Sequence, residues 1–225
     1  PDGLGPLPFG TYLLAGATNL GGFTSIPAQS GNTIDAEVGI ACDRSNSIGR
    51  GRTYLIYTTQ STVYRADTSI QLRVSDNNGK TWSAPQKLET DTVHSSQFLP
   101  RLSVDPTSGN VAVTWLDTRN DANPATSRID TDHKANTDAE LWGIVLKPVA
   151  AGVQASANFK ISQGASNARA AHNSIDFGDF LGLAFYESKI MPFWSDNSNS
   201  THNNPDGTHK TFDMYTAVIR DPFAV

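Results

Sequence analysis

Residues 75–82 of the chain read Ser-Asp-Asn-Asn-Gly-Lys-Thr-Trp, and this stretch decides the fold. It follows the run Thr-Ser-Ile-Gln-Leu-Arg-Val-Ser at 68–75, in which apolar and polar residues alternate as they do along a half-buried β-strand. The two asparagines and the glycine tolerate a left-handed backbone or hydrogen-bond their own main chain, as a tight turn requires. We therefore predict a β-hairpin closed by polar side chains. Trp82 folds back over the turn, and a second short strand runs through residues 84–88.

The composition favours an all-β protein. The chain has 225 residues, of which 38% are hydrophobic and 17% charged, and it contains 18 glycines and 12 prolines. This abundance of turn formers indicates many short strands, and no stretch shows the pattern of a long amphipathic helix. The length suffices for one sizeable core or two small ones.

Charge and hydropathy exclude two kinds of partner. The formal net charge is −5, and the 17 basic residues are scattered and form no basic run, which argues against nucleic acid. No apolar stretch reaches the roughly 18 residues that a membrane-spanning helix needs. The single cysteine, Cys42, follows Ile40 and Ala41, a context that predicts a buried small hydrophobe.

A pattern of two successive hairpins recurs three times. The first hairpin of each copy ends in an aromatic residue, which is Tyr57, Trp115 or Trp194. The first strand of the second hairpin begins near an aspartate, which is Asp67, Asp138 or Asp213. Each copy thus holds about four strands, the content of one propeller blade. A sandwich of about ten strands, with hairpins alike by chance, is the alternative.

The copies set the predicted organisation of the chain. The units run over residues 35–89, 98–163 and 171–225, and only the first closes with the turn at 75–82. Residues 1–34 read as a linker, within which residues 11–18 are a candidate strand of a preceding blade.

The spacing Ser75, Asn77, Gly79, Thr81, Trp82 resembles the Asp-box, S-x-D-x-G-x-T-W, of sialidase-like (BNR-repeat) β-propellers. Asn77 stands where that motif usually has aspartate, and it keeps an acceptor oxygen for the turn. Further segments are similar to bacterial secreted proteins of the sialidase-like type, and these are 96–101, 105–119, 177–184 and 192–198. In this family the Asp-box lies at the blade periphery, so it marks a fold and not a reaction.

The resemblance implies a β-propeller of four-stranded blades, about three of them visible here, in a secreted, periplasmic or cell-surface protein. Propellers have roughly four to eight blades, and sialidases resemble six-bladed ones. Three blades would leave open sheet faces and unpaired edges. We therefore expect either a longer propeller of which this chain is a part, or another chain that completes it.

The family also suggests where chemistry could lie. Sialidases use three arginines on the substrate carboxylate, a Tyr–Glu nucleophile pair and an aspartate acid/base. Arg119, at a strand end after Trp115, is the best-placed candidate for one of the arginines, although pairing with Asp117 or Asp121 would give it a structural role instead. The family's Arg-Ile-Pro motif is absent. Tyr186 and Glu187 are adjacent, which on a strand points them to opposite faces.

An acidic stretch follows the second aromatic hairpin. Hard oxygen ligands at such density suit calcium, and the candidate ligands are Asp117, Asp121, Asp130, Asp132 and Asp138. The spacing is not that of an EF-hand, and a solvated acidic loop is the alternative.

Three other features remain open. The loop at 195–213, with His202, His209 and Asp206-Gly207, could contact a metal or a sugar, or could be a surface turn region. Asp179 is either a structural hydrogen-bonding group or a group facing a central channel. No histidine pair has the spacing of a zinc site.

Three functions fit these observations. We expect a glycan-binding or structural module without complete catalytic machinery in this segment. The alternative is a sialidase-type glycoside hydrolase whose remaining catalytic residues lie on blades outside this chain. A third reading is a structural subunit whose open edges dock another chain. The fold alone does not choose between them.

Overall fold

The computed structural model describes residues 12–20, 22–179, 181–202 and 210–224. A small hairpin comes first, formed by β1 (Thr24–Ile26) and β2 (Gln29–Ile34). Three larger antiparallel sheets follow in chain order. Among the described residues the only helical turns are short 3-10 segments, Arg119–Asp121 and Ala168–Ala170. The all-β prediction is confirmed.

The first sheet is a meander whose strands follow one another in sequence order. Its strands are β3 (Gly39–Cys42), β4 (Thr53–Gln60), β5 (Thr68–Ser75) and β6 (Gln86–Lys87). It lies inside the first predicted unit, 35–89.

The second sheet has the same order and a longer third strand. Its strands are β7 (Gln97–Val104), β8 (Val111–Asp117), β9 (Asp138–Pro148) and β10 (Val153–Ala155). Two short strands, β11 (Phe159–Lys160) and β12 (Ser166–Asn167), also pair with β9. This sheet therefore extends beyond the second predicted unit, 98–163.

The third sheet lies inside the third predicted unit, 171–225. Its strands are β13 (Gly182–Tyr186), β14 (Lys189–Asp196), β15 (Asp213–Thr216) and β16 (Ile219–Arg220). Both β15 and β16 pair with β14, at its end and its start respectively.

The hairpin predicted at residues 75–82 is present and is held by its own side chains. Ser75 Oγ accepts from the backbone N–H of Gly79 at 2.9 Å, and Asn77 Oδ1 accepts from that of Thr81 at 2.9 Å. Asn77 thus supplies the oxygen expected of an aspartate, and Trp82 lies half-buried beside Gly79. The second strand is shorter than predicted, since only residues 86–87 pair with β5.

The core lies between the sheets. One buried cluster joins the first and second sheets and includes Tyr54, Ile56, Val113 and Trp115. A second cluster joins the second and third sheets through Ala112, Val145, Phe185 and Ile190. Every residue of β8 is buried, because its two faces pack against different neighbours.

One side-chain contact is repeated in two sheets. The indole N–H of Trp115 donates to Asp117 at 2.7 Å, and that of Trp194 donates to Asp196 at 2.9 Å. Each aspartate also accepts from the backbone N–H two residues further on, at 2.8 Å in Arg119 and 2.7 Å in Ser198. These equal contacts at the ends of β8 and β14 identify structurally equivalent positions.

Two expectations need correction. Residues 12–18, the described part of the candidate strand 11–18, form no strand. They are held instead by side chains, since Arg73 donates to the carbonyl of Ala15 and Thr18 donates to that of Thr58. Cys42 is exposed, not buried, because alternation along β3 turns it to the outer face with Ile40.

Two further predictions concern the loop at 195–213 and membrane-spanning segments. Asp206, Gly207 and His209 of the predicted 195–213 loop lie outside the described residues. Within those residues, no helix combines the length and the apolar character needed to cross a bilayer.

Candidate functional site

A cleft opens where the first strands of the three sheets come together. Its volume is about 490 Å³. The lining comes from the segment entering β3 and the start of that strand, from the middle of β7, and from the segment entering β13. The charged groups among the lining residues are Asp35, Glu37, Arg101 and Asp179.

A β-bulge in β7 shapes one wall of the cleft. The register with β8 shifts between Phe98 and Arg101, so that Leu99 and Pro100 stand outside the regular ladder. Proline tolerates this position because it has no N–H to donate. Leu99 has a φ of 53°, in the left-handed region that is unfavourable for leucine, while its side chain is buried. Such strain is retained where the surrounding structure imposes it, often at functional sites.

The bulge holds Glu37. The backbone N–H of Leu99 donates to Glu37 Oε2. The strained residue of the second sheet therefore contacts a carboxyl group on the segment that leads into β3 of the first sheet. Glu37 itself has a φ of 46°, and its backbone N–H donates to Asp35 Oδ1 at 2.7 Å. Two unusual backbone conformations therefore aim this carboxyl group at the cleft.

The surroundings of the Glu37 carboxyl group favour its protonated form at neutral pH. Its pKa is raised to about 8, chiefly by burial, and the charges of Asp35 and Asp179 contribute in the same direction. The hydrogen bond from Leu99 and the charge of Arg101 act in the opposite direction but are outweighed. Glu37 can therefore donate a proton in a hydrogen bond, which an ionised carboxylate cannot do.

Arg101 connects β7 of the second sheet to the segment that precedes β13 of the third sheet. Its Nε donates to the carbonyl of Leu181 and its Nη2 to that of Asp179, each at 2.9 Å, while its Nη1 donates to Pro100 at 2.9 Å. These bonds use three of the five guanidinium N–H groups. The Asp179 side chain is exposed and lines the cleft.

The cleft was not found from the sequence. Glu37 and Asp179 are far apart in the chain, and only the bulge at Leu99 and the bonds of Arg101 bring them together. The sole local signal was the pair of acids at 35 and 37 directly before a strand. Together the groups offer a neutral acid donor, two carboxylate acceptors and a guanidinium.

Arg119, the candidate catalytic arginine, lies elsewhere. Its Nη2 is 2.6 Å from Asp117 Oδ2, and its guanidinium lies over the ring of Trp142 at 4.2 Å from the centroid. The side chain is 9% exposed. Arg119 is thus paired with Asp117, which is the structural role considered for it above. It does not line the cleft.

Tyr186 and Glu187 are closer together than predicted. Glu187 is not on a strand but begins the two-residue turn between β13 and β14, where it and Ser188 have φ of 48° and 61°. The turn brings its carboxylate beside the tyrosine, and this neighbour raises the pKa of Tyr186. Both residues are exposed and neither lines the cleft.

Of the predicted calcium ligands, the fold brings three together. One carboxylate oxygen from each of Asp121, Asp130 and Asp138 lies within 4.8 Å of those of the other two. Asp117 instead binds Trp115 and Arg119. Asp132 Oδ2 lies 3.4 Å from Arg169.

Burial dominates the electrostatics of this cluster. It is the main cause that raises the pKa of Asp138 to about 6, and the charges of Asp121 and Asp132 contribute in the same direction. It also raises the pKa of Asp121 against the N–H donors of Asp138 and Thr137. The Ser127 hydroxyl is near enough to lower the pKa of Asp121, but it does not reach hydrogen-bond geometry with Oδ1.

Comparison with known proteins gives little. No protein-family model matches the chain, and no curated protein matches it. A protein of unknown function from Dyadobacter fermentans DSM 18053 has a similar solved structure, with 13% sequence identity and a TM-score of 0.43. The match covers 76% of this chain and 35% of that one, so the chain spans about a third of that protein's length. A likeness this distant supports no inference about fold or function.

Proposed function

We propose that the chain is part of a sialidase-like β-propeller and that the cleft at Glu37 binds a glycan. The observation that carries this proposal is the convergence of charged groups from three sheets. Glu37 lies on the segment entering β3, Arg101 lies within β7 beside its bulge, and Asp179 lies on the segment entering β13. A cleft formed by the first strands of repeated sheets is where a propeller would present a ligand site.

The arrangement of the sheets supports the propeller. The strands of the first sheet, and the first four of the second, follow in sequence order, as in a blade. The first strands are neighbours, since β7 contacts both β3 and β13. The turns after them also meet, because the backbone N–H of Ser188 donates to Asp105 at 3.1 Å and Gly109 lies against Asp43. Neighbouring first strands around an axis are what blades require.

The outer faces of the end sheets support further blades or another chain. Large apolar side chains are exposed on the first and third sheets, as at Ile40, Met191, Phe193 and Met214. None of the described strands of the second sheet exposes one. The middle sheet is covered on both faces, whereas the third sheet presents an apolar face that another sheet could cover, and the first sheet exposes one large apolar side chain, Ile40, on β3.

The chemistry of the cleft suits a hydroxyl-rich ligand. Sugar hydroxyls both donate and accept, so they can give hydrogen bonds to Asp35 and Asp179 and receive them from protonated Glu37 and Arg101. With Glu37 neutral, the two aspartates outnumber the single guanidinium. The cleft therefore favours neutral sugars over sialic acid, whose carboxylate would be repelled. A location outside the cytoplasm belongs to the same proposal.

Binding to an array of neutral and sialylated oligosaccharides tests the proposal. The wild-type chain should retain neutral glycans, and Asp179→Ala should weaken retention about tenfold. Glu37→Gln should keep most of it, because the amide still donates. Glu187→Gln, which removes an exposed carboxylate outside the cleft, is the matched control and should change nothing. Absence of any bound glycan, or equal retention by Asp179→Ala, would refute a glycan site here.

Glycoside hydrolysis is a second candidate, favoured by one observation. Glu37 is a carboxyl group with a pKa of about 8 beside the carboxylates Asp35 and Asp179, and paired carboxyl groups of unlike pKa are the tools of glycosidases. The fluorogenic 4-methylumbelliferyl glycosides, neutral and sialylated, separate the two functions. Turnover that Glu37→Gln abolishes, because an amide cannot give up a proton, would establish the hydrolase over the binding module.

A further inference from the structure

The connection between β8 and β9 contains a second site, separate from the cleft. Asp121 closes the 3-10 turn at the start of this connection, Asp130 lies within it, and Asp138 is the first residue of β9. Asp121 and Asp138 are fully buried, and the side chain of Asp130 is 5% exposed. Three carboxyl groups are thus gathered in a place with almost no access to bulk water.

One oxygen of this cluster has no partner. Asp121 Oδ2 accepts from the backbone N–H groups of Thr137 and Asp138, at 2.9 and 3.0 Å. Asp121 Oδ1 is buried and accepts no hydrogen bond. A buried carboxylate oxygen without a hydrogen bond is unfavourable, so Oδ1 is available as a ligand atom for a cation.

The charge of the cluster is also uncompensated. No lysine or arginine of the described residues forms an ion pair with Asp121 or Asp138. Asp130 has only the exposed imidazole of His133 at 3.2 Å. Buried carboxylates without a counter-charge are stable when they bind a metal.

The spacing of the oxygens suits a shared cation. One carboxylate oxygen of each aspartate lies within 4.8 Å of those of the other two, and calcium holds its oxygen ligands at about 2.3–2.6 Å, so a single ion can reach all three. Calcium accepts several carboxylates in a flexible geometry, whereas magnesium requires a near-ideal octahedron and keeps several of its waters. A set of three protein carboxylates therefore favours calcium.

We propose that Asp121, Asp130 and Asp138 bind one calcium ion, with Asp121 Oδ1 as a direct ligand. The ion joins the 3-10 turn, the middle of the loop and the first residue of β9, and so closes the long connection between two strands of the second sheet. This site does not depend on the proposed glycan cleft, since it shares none of the cleft's residues.

Isothermal titration calorimetry on the chelator-stripped chain tests the site, with calcium chloride and then magnesium chloride as titrants. We expect one calcium ion per chain and at least tenfold weaker binding of magnesium. Asp121→Asn keeps the shape and the acceptor for the two N–H groups but replaces Oδ1 with a donor, and it should weaken calcium binding at least tenfold. Asp67→Asn alters the aspartate at the equivalent position before β5 and should leave binding unchanged.

Thermal unfolding of the same chains gives a second readout. Calcium should raise the Tm of the wild type and of Asp67→Asn by several degrees, and that of Asp121→Asn by much less. If Asp121→Asn does not fold, Asp138→Asn takes its place. Absence of binding heat and of any Tm change in the stripped wild type at millimolar calcium would overturn the site, and so would an undiminished response in the Asp121→Asn chain.

Discussion

At the residue scale, a few polar side chains lie in surroundings where burial disfavours their charged form. Glu37 is the clearest case, since its carboxyl group stays neutral at pH values where glutamate is normally charged. Asn77 is the opposite case, an ordinary polar residue that meets its hydrogen bonds within its own turn. Each leads to a separate prediction.

Glu37→Gln should change the pH dependence of stability. The folded-state pKa of about 8 lies above the ordinary value of 4.5, so between these pH values the folded chain holds more protons than the unfolded one. The stabilising contribution is therefore complete below pH 4.5 and is lost as pH rises through 8. Between pH 5 and 8.5, the free energy of unfolding of Glu37→Gln should therefore rise by roughly 2 kcal/mol relative to that of the wild type. The largest slope that one titrating group can give is about 1.4 kcal/mol per pH unit.

Urea unfolding of both chains across this range measures the effect. Glu187→Gln serves as the control and should follow the wild-type curve. Parallel curves for Glu37→Gln and the wild type would contradict a raised pKa for Glu37.

Asn77→Ala should destabilise the chain by about 1 kcal/mol, because the backbone N–H of Thr81 loses its acceptor in a half-exposed turn. Asn77→Asp keeps an acceptor oxygen and should cost little. Chemical denaturation compares the three chains. A loss from Asn77→Asp as large as that from Asn77→Ala would mean that the acceptor oxygen does not hold the turn.

At the scale of elements, the Trp–Asp contact at the end of β8 recurs at the end of β14. Comparing the two aspartates distinguishes the hydrogen bonds that both sheets have from the contacts that only one of them has. Asp117 and Asp196 receive the same two bonds, from an indole and from a backbone N–H. Asp117 alone also pairs with a buried arginine, Arg119, and accepts from Gln97 Nε2 at 3.3 Å. The same substitution at the two positions therefore measures these additional contacts, of which the ion pair is the stronger.

Asp117→Ala should destabilise the chain by roughly 3–5 kcal/mol, because Arg119 is left buried without its counter-charge. Asp196→Ala should cost roughly 1–3 kcal/mol, since only uncharged donors lose their partner. Equilibrium unfolding of both variants gives the comparison. Equal losses at the two positions would indicate that the Arg119 pair adds nothing.

The same elements indicate how far sequence reasoning reaches. The turn at 75–82 and the strand pattern were predictable because they rest on neighbouring residues. The cleft was not, because it depends on the bulge at Leu99, where leucine adopts a conformation that its own preference opposes. Five candidate calcium ligands were predicted, but the path of the loop turns Asp117 toward Trp115 and leaves Asp121, Asp130 and Asp138 together.

At the scale of the whole molecule, three sheets pack side by side, and the middle one is covered on both faces. The third sheet keeps several large apolar side chains in solvent, which is costly for an isolated chain. This asymmetry is the physical basis for expecting further blades or a partner.

The chain on its own should self-associate through the exposed face of the third sheet. Met191→Lys with Phe193→Lys should lower its association in sedimentation velocity, because both side chains lie on that face. Thr107→Lys, at an exposed turn of the second sheet, is the control. Association unaffected by the double substitution would place the contact on another surface.

Amide chemical-shift mapping tests whether the cleft shared by the three sheets binds a glycan. A neutral oligosaccharide selected on the array is titrated into the isotope-labelled chain. We expect shifts concentrated at residues 35–40, at residues 99–102 and at Asp179, so that segments of all three sheets respond together. Shifts confined to one sheet or centred elsewhere, or no shifts at millimolar oligosaccharide, would contradict a glycan site in the cleft.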